Sequence, residues 1–420
     1  MRQHRGIRRV LRRLALPAVT LAVVAQSLTA SATAAPGTTT HKNVAATTTT
    51  HEIVTWGASA DRIGDAAPDR GYRLVVRTSA GGTHLRVRLS NAFGDRPLTF
   101  GQAFAGVQQQ GAALVRGSNR QLTFGGARSV TVPAGETVLS DPLPGRVPAA
   151  TALVVSLYVA EGGGPATGHA MAMQTSYTST GDHTAEEGLA NWTGTTGSWP
   201  YLDAVTVRTD PAVGAVVALG DSITDGWQST TDKNRRWPDY LARRLQADSG
   251  TRLKGVANEG ISGNKVLADG AGQSALNRLH RDVLSHPGVR TVLLFEGVND
   301  IKAHTGVTAR ELIDGYRRII DRAHTAGLCV VGATVGPFKG WYEWDAPAEA
   351  VRQEVNEFIR TGGEFDAVVD FDRVLRSPYD HERILPFFDN GDHLHPNDTG
   401  MQAMADAVPI NDLDCERTAR

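Results

Sequence analysis

The sequence predicts an all-β sandwich followed by a three-layer α/β domain, and three observations carry that expectation. At 420 residues the chain exceeds one typical domain and is long enough for two, each burying its own core. Before Asp210-Pro211 the apolar residues alternate with polar ones; after it they gather into continuous runs separated by helical patterns. Composition and charge are those of a soluble globular protein, with 43 basic against 44 acidic side chains and a formal net charge of -1. No global field therefore selects nucleic acid or an anionic membrane as partner.

Residues 1–34 read as an export signal. Arg2, Arg5, Arg8, Arg9, Arg12 and Arg13 precede an apolar run from Leu14 to Leu28, and Ala32-Thr33-Ala34 fits a small-residue cleavage site. A membrane anchor would need roughly 20 uninterrupted apolar residues; this run is shorter and contains Pro17. A secreted, extracellular protein is expected, by the general or the twin-arginine route. Residues 35–50, rich in Thr and Ala without periodicity, read as a flexible leader. No later segment is apolar enough to span a bilayer. Two cysteines, Cys329 and Cys415, exclude a disulfide scaffold and a four-cysteine zinc site. An exported chain could join them, but Leu328-Cys329-Val330-Val331 looks like a buried strand, which favours a free thiol.

Residues 51–209 carry the sandwich pattern. Leu85 to Leu89, Ser129 to Val132 and Leu153 to Val159 alternate with period two and are bounded by Gly, Pro, Asn and Asp, with no helix of three turns between them. In residues 210–420, Val213 to Leu219, Val289 to Phe295, Leu328 to Val335 and, more weakly, Ala367 to Phe371 are continuous apolar runs of the kind covered on both faces of a parallel sheet. Helical patterns fall at Trp237 to Ala247, Ala309 to Ala326 and Pro347 to Arg360.

Ligands of parallel sheets sit beyond the carboxyl ends of the strands, and the residues there are chemical. Gly220-Asp221-Ser222-Ile223-Thr224-Asp225-Gly226 follows the first run; Asn258-Glu259-Gly260-Ile261-Ser262-Gly263-Asn264 follows a short second segment; Glu296-Gly297-Val298-Asn299-Asp300 follows the third; Asp392-His393-Leu394-His395-Pro396 lies near the end. A serine hydroxyl becomes a nucleophile when a base takes its proton and a carboxylate holds that base. Ser222, His395 and Asp392 supply the three types, the last two within one turn. The backbone N–H of Ser222, a donor from Gly263 and the Asn299 side-chain amide could hold a developing oxyanion.

These four blocks resemble those of the SGNH hydrolases, the GDSL esterase and lipase family. The resemblance covers about Val213 to Ala407 and implies a flavodoxin-like three-layer fold, no cofactor and ester hydrolysis through an acyl-enzyme. It assigns Ser222 as nucleophile, Ser222, Gly263 and Asn299 as the oxyanion hole, and Asp392 and His395 as carboxylate and base. Ile223 stands where Leu is common, without mechanistic consequence.

Other readings of the same residues compete. Gly-Asp-Ser ahead of a helix is also capping chemistry. His393 rivals His395, but one residue from Asp392 its side chain diverges. Asp221, Asp300 and Asp392 could hold a metal, yet serine chemistry needs none, so no metal is expected and caps are the simpler role. Asn264 fits a pocket lining or a turn equally. Trp341, Tyr342 and Trp344 follow the fourth run and are candidates for a substrate-binding rim, or for loop packing. Asn191-Trp192-Thr193 and Asn397-Asp398-Thr399 match the glycosylation triplet and are read as chance. A monomeric ester hydrolase is expected, removing acetyl or other short acyl groups from carbohydrate or small esters; the alternatives are a lipase or phospholipase on longer chains, or a non-catalytic carbohydrate-binding protein. The sandwich either delivers the enzyme to an acylated polysaccharide or shapes the pocket wall.

Overall fold

The computed structural model describes residues 51–415, which lie within one compact unit. The export signal and leader expected over residues 1–50 fall outside the described residues. Among those described, no helix is long and apolar enough to cross a membrane.

Residues 51–209 form antiparallel sheets. One orders His51–Gly57, Leu202–Thr209, Gly82–Ser90 and Leu143–Val147; another orders Gly194–Thr196, Ser176–Thr180, Arg70–Arg77, Ala152–Val159 and Leu98–Gln110. Alternate residues of both enter one apolar cluster, for example Ile53, Val87, Leu89 and Val205 from the first and Leu74, Val76, Ala103 and Val155 from the second. That is the packing a period-two pattern dictates. A third, small sheet of Asp61–Asp65, Pro165–His169 and Trp199–Pro200 lies beside them.

After Asp210 the chain alternates between strand and helix. The strands β1 (Gly214–Gly220), β2 (Leu253–Gly260), β3 (Val289–Phe295), β4 (Cys329–Ala333) and β5 (Ala367–Val369) form a parallel sheet in the order β2-β1-β3-β4-β5. Every residue of β1 is buried, and its side chains alternate between two clusters: Ala215, Val217 and Leu219 in one, Val216 and Ala218 in the other. Short α1 (Ser222–Asp225) follows β1. Helix α2 (Trp237–Ala247) contributes Trp237, Leu241 and Leu245 to the second cluster. Helices α3 (Ala275–Leu279), α5 (Ala309–Thr325) and α6 (Ala346–Thr361) pack on the first, whereas α7 (Phe371–Leu375) and α8 (Asp398–Ala407) pack on the second. Short α4 (Val298–Lys302) follows β3. Thr308 and Glu311 close a capping box on α5, whose buried Leu312, Tyr316, Ile319 and Ala323 recur at three- and four-residue spacing.

The two halves share polar contacts as well as apolar ones. Ala58 bridges Asn258 at the edge of β2, Val54 N–H donates to Pro287 O at 2.9 Å, and Val256 N–H donates to Ser79 Oγ at 2.8 Å.

One expectation is corrected. Cys329 and Cys415 are joined, with Cα atoms 5.9 Å apart, and no described cysteine is free. Cys329 does sit in a buried strand, but it lies at the start of β4, where the C-terminal segment returns: Thr291 Oγ1 of the neighbouring strand donates to Leu413 O.

Candidate active site

The site is assembled at the carboxyl ends of β1, β2 and β3. Where β1 ends, the Asp221 side chain accepts from Ile223 N–H at 3.0 Å and caps α1, which leaves Ser222 as its first residue. Ser222 Oγ lies 2.8 Å from His395 Nε2, and His395 Nδ1 lies 2.7 Å from Asp392 Oδ2. Because the carboxylate accepts the Nδ1 proton, Nε2 is left as the acceptor for the hydroxyl. The other oxygen of Asp392 accepts from Leu394 N–H and His395 N–H at 2.9 and 2.8 Å, so the local turn fixes the carboxylate. Partial burial works to raise the Asp392 pKa, but the ring and backbone donors outweigh it and hold the pKa at about 2. His393 is brought elsewhere: its Nδ1 lies 2.7 Å from Asp389 Oδ2.

Gly263 has φ +82°, a left-handed conformation that favours glycine. Asn299 is buried in α4 and spends one amide hydrogen on Asn264 O at 2.9 Å. Asn264 takes the turn role: its side chain donates to Ala271 O and Gln273 O at 2.7 and 2.9 Å and accepts from Arg278 Nε at 3.0 Å. Asp300 accepts from Val266 N–H and Leu267 N–H at 2.8 and 3.1 Å and so ties the same loop to α4. Burial raises the pKa of Asp300 and pushes that of Asp221 up to about 6. Asp221, Asp300 and Asp392 are thus each engaged with protein donors. Among the described residues the one cluster with metal-ligand spacing is Cys329, Asp366 and Cys415, two of whose sulfurs form the disulfide.

Of the three rim candidates, Trp341 reaches the site. Its ring meets that of His395 edge-on, centroids 5.8 Å apart, and Tyr342 stacks on its outer side with 80% exposure. Trp344 packs against the apolar cluster under the loop, with Lys339 Nζ 5.3 Å from its ring. The sequence reading missed Trp227, which lies 5.9 Å from the His395 ring and is 40% exposed. Its signal was position: it directly follows Gly226, which ends α1 with φ +97°.

Also missed was Arg278 of α3, wholly buried beneath the strand ends. Its guanidinium donates to Asn264 Oδ1, Ser59 Oγ, Glu259 O and Gly220 O at 3.0, 2.7, 2.6 and 2.9 Å, and pairs with Asp282 and Glu296. The segments bearing Ser222, Gly263 and Asn299 are therefore tied to one cation. Nothing in the local sequence marks it.

Hydroxyl, imidazole and carboxylate gathered at the strand ends of a parallel α/β sheet are the groups from which nucleophilic acyl transfer can be built, and the family whose model matches here is one of carboxylic-ester hydrolases. Residues 218–403 match the model of the GDSL-like Lipase/Acylhydrolase family and form a domain of that family. Similar solved structures include a carbohydrate acetylesterase from Sinorhizobium meliloti (18% identity, 46% of this chain and 96% of that one, TM-score 0.38). Others are the aryl esterase of M. smegmatis (17%, 47% and 96%, TM-score 0.39) and a putative lipolytic protein of the G-D-S-L family from Desulfitobacterium hafniense (20%, 46% and 96%, TM-score 0.37). No curated protein matches the chain at a significant level.

Proposed function

We propose that the chain is a secreted serine esterase that removes acetyl or other short acyl groups from carbohydrate or small esters through an acyl-enzyme. The reading rests on one observation, the continuous path from Ser222 Oγ to His395 Nε2 at 2.8 Å and from His395 Nδ1 to Asp392 Oδ2 at 2.7 Å. His395 takes the Ser222 proton as Oγ attacks the ester carbonyl. The backbone N–H groups of Ser222 and Gly263 and the free amide hydrogen of Asn299 hold the oxyanion. His395 then passes its proton to the departing alkoxide, and the alcohol leaves. A water deprotonated by His395 attacks the acyl-enzyme, and collapse returns the proton to Ser222 and frees the acid. Asp392 keeps the Nδ1 proton and stabilises the imidazolium.

We read residues 210–420 as the catalytic domain, three-layered and flavodoxin-like, because its strand order corresponds to 2-1-3-4-5 and helices pack on both apolar clusters. Residues 51–209 are the accessory sandwich, the enzyme acts as a monomer, and export follows from the basic, apolar and small-residue order of residues 1–34. The test is turnover of p-nitrophenyl acetate by the wild type and by Ser222→Ala. A loss of about 10³-fold or more in kcat is expected, and undiminished turnover by the variant would overturn the reading.

A further inference from the structure

A cavity of about 110 Å³ lies beside the Gly263 loop and takes its walls from both halves of the chain. Ile261, Ser262 and Ala271 border it on the loop side, and Ala170 and Met171, which follow the strand ending at His169, border it from the β-rich half. Their positions are fixed by a buried link. His169 Nε2 is 2.9 Å from Asp225 Oδ1 and 3.0 Å from Met171 O, and its Nδ1 is 2.9 Å from Ser59 O. With a carboxylate and a carbonyl facing Nε2 and a carbonyl facing Nδ1, both ring nitrogens must donate, so the ring is an imidazolium paired to Asp225. Asp225 closes α1, three residues after Ser222, and its second oxygen accepts from Ser262 N–H and Ser262 Oγ at 2.9 and 2.8 Å. Ser262 immediately precedes Gly263, and a side chain on Gly263 would come within 3.0 Å of the Ala271 methyl.

Stereochemistry assigns a direction to this cavity. In the reading proposed above, the leaving oxygen must stand next to His395 Nε2 to receive its proton, so the alcohol lies toward Trp227 and Trp341, the rings against His395. The carbonyl oxygen points to Gly263 and Asn299. The acyl substituent takes the remaining side, and the cavity is the neighbouring space: it is lined by Asp225, three residues after Ser222, and by Ser262, next to Gly263, and not by the reacting groups themselves.

We propose that this cavity is the acyl pocket, that it takes a short acyl group of two to about four carbons, and that Ala170 and Met171 of the β-rich half supply its outer wall. The β-rich half is then a part of the substrate site itself. Two features set the chemistry. The volume is well below the roughly 300–1,000 Å³ of pockets for drug-sized ligands, which suits a short chain. The methyl groups of Ala170 and Ala271, the Met171 thioether and Ile261 offer apolar surface; of the charged residues that line it, His169 and Asp225 are satisfied by each other, and Asp61 is the third.

This inference rests on the esterase reading, and the experiment separates the two. The full chain, Met171→Trp, Met171→Ala and Ser222→Ala are assayed with p-nitrophenyl acetate, butyrate and octanoate, which share one leaving group and differ only on the acyl side. The wild type should favour acetate and butyrate over octanoate by at least ~10-fold in kcat/KM, within what methylene discrimination supplies. Met171→Trp should lower the butyrate-to-acetate ratio by about 10-fold, and Met171→Ala should raise the octanoate-to-acetate ratio several-fold. Because ratios are read, a partly misfolded preparation does not mimic the result. Ratios identical in the wild type and both Met171 variants, or a wild type that prefers octanoate, would overturn the pocket while leaving the esterase reading intact. Wild-type turnover no greater than that of Ser222→Ala would overturn both.

Discussion

Replacing Arg278 with Met tests whether the strand ends are held by a single buried cation. The side chain is wholly buried, and methionine would fill most of its volume while removing every donor. Gly220 O, Glu259 O, Asn264 Oδ1 and Ser59 Oγ each lose a partner, as does Glu296 Oε2 at 3.3 Å. Asp282 keeps Arg281, 2.6 Å away. Breaking one buried ion pair from one side costs about 3–5 kcal/mol, and each stranded neutral acceptor about 1–3 kcal/mol before relaxation. A loss of about 4–6 kcal/mol is expected after the loops relax, a large share of the roughly 5–15 kcal/mol that a folded domain has. The loss should also grow with pH. Burial already raises the Glu296 pKa and Arg278 opposes it, so removing the arginine raises it further. A group with a raised folded pKa favours folding below its unfolded value and loses that contribution as pH rises toward the folded one. Urea unfolding followed by tryptophan fluorescence at pH 5 and pH 8 measures both effects. Arg278→Lys should recover part of the charge contribution but not the fork that binds Gly220 O and Asn264 together. A loss under about 1 kcal/mol, or one independent of pH, would refute the reasoning.

Three further outcomes are expected. Asp392→Asn should lower kcat for p-nitrophenyl acetate by about 10³–10⁴-fold, because a carboxamide no longer enforces the tautomer that leaves Nε2 free; a loss below 10-fold would contradict that role. His286 Nε2 lies 2.8 Å from Glu259 Oε1, and burial, aided by Arg88, pushes the His286 pKa down to about 3. The unfolded ring, near 6.5, binds a proton that the folded one refuses, so stability should fall as pH drops from about 6.5 toward 3, by up to ~1.4 kcal/mol per pH unit; His286→Gln should show a shallower decline in denaturation between pH 7 and pH 5, and parallel curves would exclude the contribution. Replacing Cys329 and Cys415 together by Ala should cost about 2–4 kcal/mol, since the bond closes a separation of 86 residues; an unchanged urea midpoint would contradict it.

The sequence made the parallel sheet legible because strands covered on both faces carry no polar alternation. Val289 to Phe295 was bounded correctly from its apolar run alone, and Val213 to Leu219 missed β1 by one residue at each end. Helix α6 starts one residue before Pro347 because Asp345 caps it, its side chain accepting from Ala348 N–H at 2.7 Å. The short strands Ala113–Leu114 and Arg120–Gln121 were not visible, as two residues show no period. The residues with resemblance-bearing motifs were all named in advance, since each motif is local. The groups that tie those motifs together were not: Ser59 and Arg278 are 219 residues apart, His169 and Asp225 are 56 apart, and no periodicity or spacing links them. The Cys329 pairing failed for the same reason, as the partner arrives from the C-terminal segment.

The central claim is that Ser222 forms a covalent bond to the acyl carbon, and trapping that bond tests it most directly. The full chain is treated with a fluorophosphonate, and intact mass and peptide mapping are measured for the wild type, Ser222→Ala and His395→Ala. The account predicts one adduct per chain on the peptide containing Ser222, none in Ser222→Ala, and strongly slowed labelling in His395→Ala. An adduct mapping to any other residue, or equal labelling of Ser222→Ala, would contradict it.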